Sequence, residues 1–346
     1  MRALTVVPGV PGSLALRDIA DPAAGDGDIL VETLAVGLCA TDADIVDAEL
    51  GEAPSGSRRL VIGHESLGRV LSSGDSRLRP GDLVVGIVRH PDPVPCPACA
   101  AGEWDMCRNG GYTSRGITRL HGFARERWRS TAEALIPVAP RLGRAGVLVE
   151  PASVVAKAWE QIERIGGRAS FHPGVVVITG AGPVGLLAAM MATQRGYRAH
   201  VFDLVTEGPK PDLVRALGAR YHTDPGDLPA DADIMIECTG SAEVIAGLLD
   251  RGGPGAITCL LGMSPGRAVL PVDVAALNRR LVRQNGVVFG SVNANRRHYE
   301  AATASLTRAD PGWLDRMMTR RVALADYAEA FRRRPGDVKT LIEVAH

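Results

Sequence analysis

Four side chains in the first half of the chain are of types that bind zinc. Cys39 stands in the segment GLCATD, and Glu150 stands in LVEPAS. His64 and Glu65 stand together in IGHES. Thiolate, imidazole and carboxylate are ligands that zinc accepts, and a catalytic site leaves one position for substrate or water. Each residue also has an ordinary reading, as a buried cysteine, a hydrogen-bonded histidine or a surface glutamate. Because the residues form no local motif, their spacing alone leaves the zinc site open.

Three further cysteines lie in a loop that is rich in proline and glycine. Cys96, Cys99 and Cys107 have the spacing C-x2-C-x7-C. Thiols so placed are typical of a structural zinc site, which normally takes four ligands. A fourth cysteine is missing from the run, so the alternative is three free thiols on a loop.

The middle of the chain carries a pattern that predicts dinucleotide binding. A β-branched run at 175–179 predicts a strand that is buried on both faces. Gly180, Gly182 and Gly185 follow with the spacing G-x-G-x-x-G, and an apolar helix-forming run comes next. Such a turn brings backbone amides and a helix N-terminus to a pyrophosphate. Asp203 ends a second short strand about 20 residues later, where an acid meets a ribose hydroxyl. The glycine spacing also arises by chance, but this context favours a cofactor site.

Length and charge limit the possible classes of protein. The 346 residues suffice for two domains. Lysine plus arginine equal aspartate plus glutamate, 39 against 39, so no strong field favours nucleic acid or an anionic membrane. The N-terminal segment MRALTVVPGV lacks the apolar core and cleavage site of a signal peptide, and we expect a cytoplasmic protein. The apolar run at 175–192 matches a membrane span in length, but its glycines and Pro183 favour a buried strand, turn and helix.

The pattern of the sequence changes near residue 154. Before it, short apolar runs are broken by glycine and proline, which predicts an antiparallel, barrel-like β domain. From about Val154, helical and strand-like runs alternate. This alternation predicts a parallel sheet that is covered by helices on both faces.

Together these motifs resemble the zinc-dependent medium-chain dehydrogenases, and more narrowly the glucose dehydrogenase branch of that superfamily. The matching segments occur in the expected order over nearly the whole chain: GLCATD, IGHESLGRV, RPGDLVV, CPACAAGEWDMC, GITRLHGFARE, LVEPASVVAKA, ITGAGPVGLLAA, IECTGS and VVFGSVNANRRHYEAA. The resemblance implies an α/β fold, with a doubly wound Rossmann sheet and a GroES-like β-barrel catalytic domain. It implies a catalytic domain at 1–154, completed by 294–346, and a dinucleotide-binding domain at 155–293.

The resemblance also implies roles for individual residues. Cys39, His64 and Glu150 match the catalytic zinc ligands. Glu65 matches a carboxylate that binds the metal directly or through water, and Thr41 matches the hydroxyl that relays the substrate's proton. The residues expected to hold the cofactor are Gly180, Gly182, Pro183, Val184, Gly185, Asp203, Thr239, Gly240 and Asn293, the last of which also faces the substrate.

The chain departs from the pattern of this family at the cysteine loop. The family's structural zinc takes four cysteines, and Pro93 stands where the first of them is expected. The neighbouring Asp92 could supply an oxygen to complete the site with Cys96, Cys99 and Cys107, or the site is empty.

Two other departures bear on specificity. Glucose dehydrogenases carry an acid that binds sugar hydroxyls in the segment matching 112–116, where this chain has Ser114, so glucose is in doubt as substrate. Arg115 and Arg89, if they face the cleft, could instead meet an acidic or phosphorylated group; the alternative is that both are solvated surface residues.

Many relatives end the second strand with residues that accept the 2′-phosphate of NADP, whereas Asp203 repels that phosphate and favours NAD.

The predicted protein is a zinc-dependent oxidoreductase that oxidises a hydroxyl of a sugar-like or polyol substrate and transfers hydride to NAD(P). We expect a homo-oligomer, dimer or tetramer, with a small polyhydroxylated substrate and no nucleic-acid or membrane partner. The alternatives are a zinc-free quinone or enone reductase of the same superfamily and a non-catalytic nucleotide-binding protein. The set of Cys39, His64 and Glu150 argues against both.

Overall fold

The computed structural model of the protein describes residues 1–24, 28–332, 334 and 336–345. The chain divides into two compact units. The first unit comprises Met1–Ser153 and Asn293–His346, and the second comprises Val154–Val292. No helix within the described ranges has the length and hydropathy to cross a lipid bilayer.

The elements are short in the first part of the chain and become regular after residue 149. The strands are β1 (Arg2–Val6), β2 (Ala15–Asp18), β3 (Ile29–Gly37), β4 (Leu60–Val61), β5 (Glu65–Ser72), β6 (Leu83–Gly86), β7 (Arg89–His90), β8 (Thr113–Arg115), β9 (Arg119–Leu120), β10 (Arg127–Ser130), β11 (Leu135–Pro137), β12 (Val175–Thr179), β13 (Arg198–Phe202), β14 (Arg220–His222), β15 (Ile234–Glu237), β16 (Ile257–Leu260), β17 (Val287–Gly290), β18 (Arg320–Ala323) and β19 (Thr340–Glu343). The α-helices are α1 (Ala40–Val46), α2 (Pro97–Ala100), α3 (Val149–Gly166), α4 (Pro183–Gln194), α5 (Pro209–Ala216), α6 (Ala242–Leu249), α7 (Val274–Gln284), α8 (Arg296–Arg308), α9 (Pro311–Met317) and α10 (Tyr327–Ala330).

The main sheet of the first unit has the order β11-β6-β5-β3-β19-β18, and β10 also pairs with β3. Its central strand β3 pairs antiparallel with β5 on one side and with β19 on the other. The core beneath it is apolar, and Phe123 packs edge-on against Trp128 with ring centroids 4.6 Å apart. The register places Gly37 opposite both Glu65 and Leu341. The C-terminal end of β3 and the N-terminal ends of β5 and β19 therefore lie side by side in the middle of the sheet.

The second unit contains a wholly parallel sheet with the order β14-β13-β12-β15-β16-β17. This is the strand order of a doubly wound dinucleotide-binding fold, in which ligands bind at the carboxyl ends of the strands. Four of the five residues of the central strand β12 are buried, as its β-branched sequence predicts. The parallel sheet predicted for the part of the chain after Val154 is therefore present.

Candidate active site

Three of the predicted catalytic residues lie together where β3 ends and where β5 and β19 begin. Cys39 follows β3 and caps the N-terminus of α1, while Glu65 begins β5. One ligand atom each of Cys39, His64 and Glu65 lies within 4.8 Å of the other two. His64 and Glu65 are buried, and Cys39 is partly exposed. Donors at these distances can share one metal ion.

Asp42 positions both Cys39 and His64. Its Oδ1 lies 3.2 Å from Nδ1 of His64, and its Oδ2 accepts a hydrogen bond of 3.0 Å from the amide of Cys39. A carboxylate on Nδ1 fixes the orientation of the imidazole and leaves Nε2 to face a metal. The sulfur of Cys39 accepts a further hydrogen bond of 3.3 Å from the amide of Thr41, whose side chain is partly exposed.

Lys339 forms a buried ion pair with Glu65. Its Nζ lies 2.7 Å from Oε1 and 2.6 Å from Oε2 of Glu65, and it donates a third hydrogen bond of 3.0 Å to the carbonyl oxygen of Leu38. Both side chains are 1% exposed. A Cβ at Gly37 would lie 2.1 Å from Oε2 of Glu65, so only glycine leaves room for this carboxylate.

Glu150 lies in the first turn of α3, outside the group of donor atoms that the described residues bring within 4.8 Å. Burial, opposed by His64 and reinforced by Glu65, raises the pKa of its carboxyl to about 7. The charges of the cluster therefore act on the carboxyl of Glu150. Glu150 and Thr41 thus remain candidates for the roles that the sequence predicts.

The charges around His64 favour a cation at this position. Burial alone would lower the pKa of His64, but Asp42 and Cys39 outweigh burial and hold the pKa well above its ordinary value. A thiolate, a ring nitrogen fixed by a carboxylate and a buried glutamate are the donors that zinc prefers. The residues present therefore fit a zinc ion.

The cysteine loop also brings its thiols together. Ligand atoms of Cys96, Cys99 and Cys107 lie within 4.8 Å of one another. Hydrogen bonds from the backbone, first of all the amide of Arg108, lower the pKa of Cys96 to about 6. Asp92 is absent from this group of atoms in the described part of the chain, and its Oδ1 accepts a hydrogen bond from the amide of Val94. Three thiols fit a metal ion, and a role for Asp92 stays a prediction.

Arg115 is a buried structural residue. Its guanidinium donates hydrogen bonds to the carbonyl oxygens of His121 and Arg129, at 3.4 and 3.1 Å. It lies 5.4 and 5.7 Å from the ring centroids of Phe123 and Trp128. Because the arginine is 6% exposed and bound to backbone, both sequence alternatives, a substrate contact and a solvated surface residue, are wrong for Arg115.

Ser114 and Arg89 stand directly opposite each other. They are paired residues of the antiparallel strands β8 and β7. Ser114 is buried, whereas Arg89 is partly exposed and its guanidinium carbon lies 3.7 Å from the ring centroid of Tyr112.

The glycine-rich turn joins β12 to α4 in the second unit. Gly182 is the N-cap of α4, and Pro183 is its first residue. Gly180 has a φ of 88°, which favours glycine. A Cβ at Gly185 would lie 1.7 Å from the carbonyl oxygen of Gly180, so this close packing also requires glycine. Val184 follows within the first turn of the helix.

Asp203 stands directly after β13, as the pattern predicts. Its Oδ2 accepts hydrogen bonds from the amide of Ala181 at 2.7 Å and from Nζ of Lys210 at 3.0 Å. Its Oδ1 accepts a hydrogen bond of 3.1 Å from the amide of Val205. Burial raises the pKa of Asp203, but these hydrogen bonds outweigh burial and lower it. The carboxylate is therefore ionised and connects the glycine-rich turn to the end of β13.

Glu237 is a fully buried carboxylate at the carboxyl end of β15. It accepts hydrogen bonds from the amides of Thr239 and Gly240 and from the hydroxyls of Thr239 and Thr179. It therefore fixes the turn that carries two predicted cofactor residues. Asn293, the remaining cofactor candidate, belongs to the first unit, has a φ of 67° and accepts a hydrogen bond from the amide of Ala294.

Comparisons with known proteins identify the family. The model described as the alcohol dehydrogenase GroES-like domain matches residues 25–140, and the model described as the glucose dehydrogenase C-terminus matches residues 143–344. The chain is 38% identical to a glucose 1-dehydrogenase of Methanocella arvoryzae over 99% of both proteins. It is also 38% identical to a glucose 1-dehydrogenase of Thermoproteus tenax over 99% of both. The solved complex of Haloferax mediterranei glucose dehydrogenase with NADP, Zn and gluconolactone is similar over 100% of both chains, with a TM-score of 0.92 and 29% identity.

The chain belongs to the glucose dehydrogenase branch of the zinc-dependent medium-chain dehydrogenases. The predicted family and the predicted fold, a Rossmann sheet with a GroES-like domain, are thereby confirmed. The predicted class of function is confirmed as well: a zinc-dependent oxidoreductase that acts on a sugar-like hydroxyl with a nicotinamide cofactor. The expected preference for NAD gains no support, since the Haloferax complex contains NADP.

The sequence did not reveal three positioning residues of this dehydrogenase. Asp42 and Glu237 stand inside quoted motifs, GLCATD and IECTGS, and an acid next to a proposed ligand or turn was a usable signal. Lys339 lies 274 residues from Glu65, so no motif connects the two. Its position inside an apolar C-terminal segment is the feature of the sequence that could have indicated a buried role.

Proposed function

We propose that this dehydrogenase oxidises a hydroxyl of a polyhydroxylated substrate at the site formed by Cys39, His64, Glu65 and Glu150. The observation that carries the proposal is the buried donor cluster of Cys39, His64 and Glu65. Zinc, when bound there, supplies a Lewis acid that lowers the pKa of the substrate hydroxyl, and the nicotinamide cofactor accepts the hydride.

The residues of the chain divide the remaining work. Cys39 and His64 bind the metal, and Asp42 keeps the ring nitrogen Nε2 of His64 turned towards it. Thr41 would relay the proton of the substrate hydroxyl: its oxygen would accept that proton while its own hydroxyl proton leaves to solvent through the ribose of the bound cofactor. The second unit orients the cofactor through its glycine-rich turn at 180–185 and through Asp203, Thr239 and Gly240, while Asn293 serves its nicotinamide end.

Removal of a metal ligand tests this function. His64→Ala should abolish turnover by the zinc-loaded enzyme and lower its metal content, while NADH still binds with unchanged affinity in a fluorescence titration. The exposed His172 offers a matched control, because it belongs to no donor cluster of the described residues. Full activity of metal-free His64→Ala would favour the zinc-free reductase instead.

We further propose that NAD is the preferred cofactor. The support is the ionised Asp203, whose oxygens accept hydrogen bonds from ribose hydroxyls but repel a 2′-phosphate. Asp203→Ala should narrow the ratio of kcat/KM between NAD and NADP. A native enzyme that prefers NADP by a wide margin would show that Lys210, which pairs with Asp203, serves the phosphate instead.

Glucose itself should be a poor substrate. Glucose dehydrogenases are expected to carry an acid at this position, whereas Ser114 is short and uncharged. A glucose molecule bound beside Ser114 therefore lacks one charge-assisted hydrogen bond. One such bond is worth about 1.5–3 kcal/mol, or roughly ten- to a hundredfold in kcat/KM. An assay of glucose beside galactose, inositols and ribosides at equal concentration checks this. If glucose proves to be the best substrate, the identity of residue 114 does not determine the specificity for sugars.

A homo-oligomer of two or four chains is proposed as well. Its support is the open edge of the parallel sheet, where β17 has a neighbour on one side in the described residues. Exposed apolar residues precede this strand in the chain: Val269, Leu270, Val272, Val274 and Val282. An apolar edge strand is a template for a second chain. Light scattering on the purified enzyme measures its oligomeric state and tests this proposal. The cytoplasmic location stays a prediction.

A further inference from the structure

Arg89 carries a charge that no carboxylate neutralises at close range. Among the ion pairs formed by the described residues, none includes Arg89. Asp105 acts on it through space, but Oδ1 of Asp105 accepts a hydrogen bond of 2.6 Å from Asn295. Nε of Arg89 is buried without an acceptor in the described part of the chain. A buried donor in this state costs free energy unless a ligand accepts its hydrogen bond.

Tyr112 holds the guanidinium in a geometry that suits an anion. The guanidinium carbon lies over the ring, 3.7 Å from its centroid, which is a cation–π distance. This contact restricts the position of the guanidinium, and a guanidinium can donate two parallel hydrogen bonds to a carboxylate or phosphate.

Arg89 belongs to the same unit as the proposed catalytic residues, and contacts of its neighbours lead towards them. The preceding residue, Val88, donates a hydrogen bond of 3.2 Å from its amide to Oη of Tyr299. Tyr299 is buried, and Glu150 is the first charged group that acts on it. Across the strand pair, Arg89 faces Ser114, the residue that replaces the expected acid. The residue opposite Arg89 thus carries a hydroxyl group in place of the expected carboxylate.

We propose that Arg89 is an anion-binding residue of the substrate site, and that the substrate carries a carboxylate or phosphate group in addition to the hydroxyl that is oxidised. The proposal rests on the proposed function for the site itself. Arg115 does not compete for this role, because its guanidinium is bound to backbone carbonyl groups. Burial lowers the pKa of Arg89, which agrees with a cation that still lacks its counter-ion.

The first test compares neutral and anionic sugars with the zinc-loaded enzyme. Glucose, glucuronate and glucose 6-phosphate serve as neutral, carboxylate and phosphate probes. We expect kcat/KM of the wild type to be about tenfold or more higher for one of the two anions than for glucose. Arg89→Gln should remove that advantage, while Arg89→Lys should retain part of it.

Two further variants sharpen this comparison. Arg69→Gln removes an arginine from the exposed pair with Glu32 and should leave all three rates unchanged. Ser114→Glu places a carboxylate opposite Arg89 and should abolish the anion preference while improving the rate with glucose. The proposal is wrong if Arg89→Gln lowers kcat/KM equally for glucose and for the preferred anion. It is also wrong if the wild type prefers glucose.

A binding measurement separates this proposal from the proposed catalytic function. Inorganic phosphate, gluconate and 6-phosphogluconate are titrated into enzyme saturated with NADH, so that the pyrophosphate site is occupied. One of them should raise the Tm of the wild type and of Arg69→Gln but not of Arg89→Gln. Equal shifts in all three proteins would refute an anion site at Arg89. Shifts that depend on Arg89, together with no turnover of any sugar, would refute the catalytic proposal and leave the anion site intact.

Discussion

The buried pair of Lys339 and Glu65 should be the most sensitive point of the first unit. Lys339→Met keeps most of the side-chain volume but removes the ammonium group, which lies 2.7 and 2.6 Å from the two carboxylate oxygens. Both side chains are 1% exposed, so water cannot replace the lost partner. Loss of one member of a buried pair costs about 3–5 kcal/mol. For a unit of about 200 residues, this corresponds to a Tm that falls by roughly 6–20 °C.

Zinc should reduce this loss. Without Lys339, the zinc ion is the cation left to neutralise Glu65, whose carboxylate lies in the donor cluster with Cys39 and His64. Calorimetry on zinc-loaded and chelator-treated Lys339→Met should therefore show the larger fall in Tm for the metal-free protein. In the double variant Glu65→Gln with Lys339→Met, most of the lost stability should return, because no uncompensated charge stays buried.

A surface pair provides the control for this measurement. Arg69 and Glu32 form an ion pair of 3.6 Å with side chains that are 43% and 31% exposed. Arg69→Met should cost about 0–1 kcal/mol, since water screens such pairs. If Lys339→Met loses no more stability than Arg69→Met, with or without zinc, the inference that the pair is buried and essential is refuted.

Three other predictions follow from the remaining charged clusters. The wild type should bind about two zinc ions per chain and Cys99→Ser about one, with lower thermal stability; equal metal content in both would show a metal-free loop. Glu237→Gln should raise the Kd for NADH by roughly ten- to a hundredfold in a fluorescence titration, because a carboxylate that accepts four hydrogen bonds is lost; an unchanged Kd would contradict its positioning role. Burial lowers the pKa of both His200 and His222, whose ring nitrogens lie 3.0 Å apart. The unfolded chain therefore binds more protons below about pH 6.5, and stability should fall as the pH drops. His222→Gln should flatten this dependence in thermal unfolding between pH 7.5 and 5.5, and an unchanged slope would assign it to other groups.

The features that the sequence could predict are those set by local physics. The turn at 180–185 follows from a β-branched strand, glycines at required positions and an apolar helix within a few residues. The donor types at Cys39 and His64 are visible in the sequence, but their spacing leaves the zinc site open, and the resemblance to the dehydrogenase family supplied their roles. For the turn, the residues that determine the structure are neighbours in the chain.

Other features depend on strand register, which the sequence pattern does not specify. Lys339 meets Glu65 because β19 and β5 both pair with β3, with Leu341 and Glu65 each opposite Gly37. Arg115 is buried because backbone carbonyls of His121 and Arg129 converge on it, and a lone arginine between polar residues gives no sign of this. Burial of a charge is decided by partners that are distant in sequence, so it was the least predictable property of this chain.

The pair of Asp203 and Lys210 shows why an acid at the end of the second strand is an incomplete guide to cofactor choice. The carboxylate favours the ribose diol of NAD, yet Nζ of Lys210 lies 3.0 Å from it and cancels much of its charge. We expect the same lysine to be available to a 2′-phosphate if it is released from Asp203. Discrimination therefore depends on whether Lys210 stays paired with Asp203 when the cofactor binds. The amides of Ala181 and Val205 also hold Asp203, so we expect Lys210 to be the movable partner and to influence the ratio of kcat/KM between NAD and NADP.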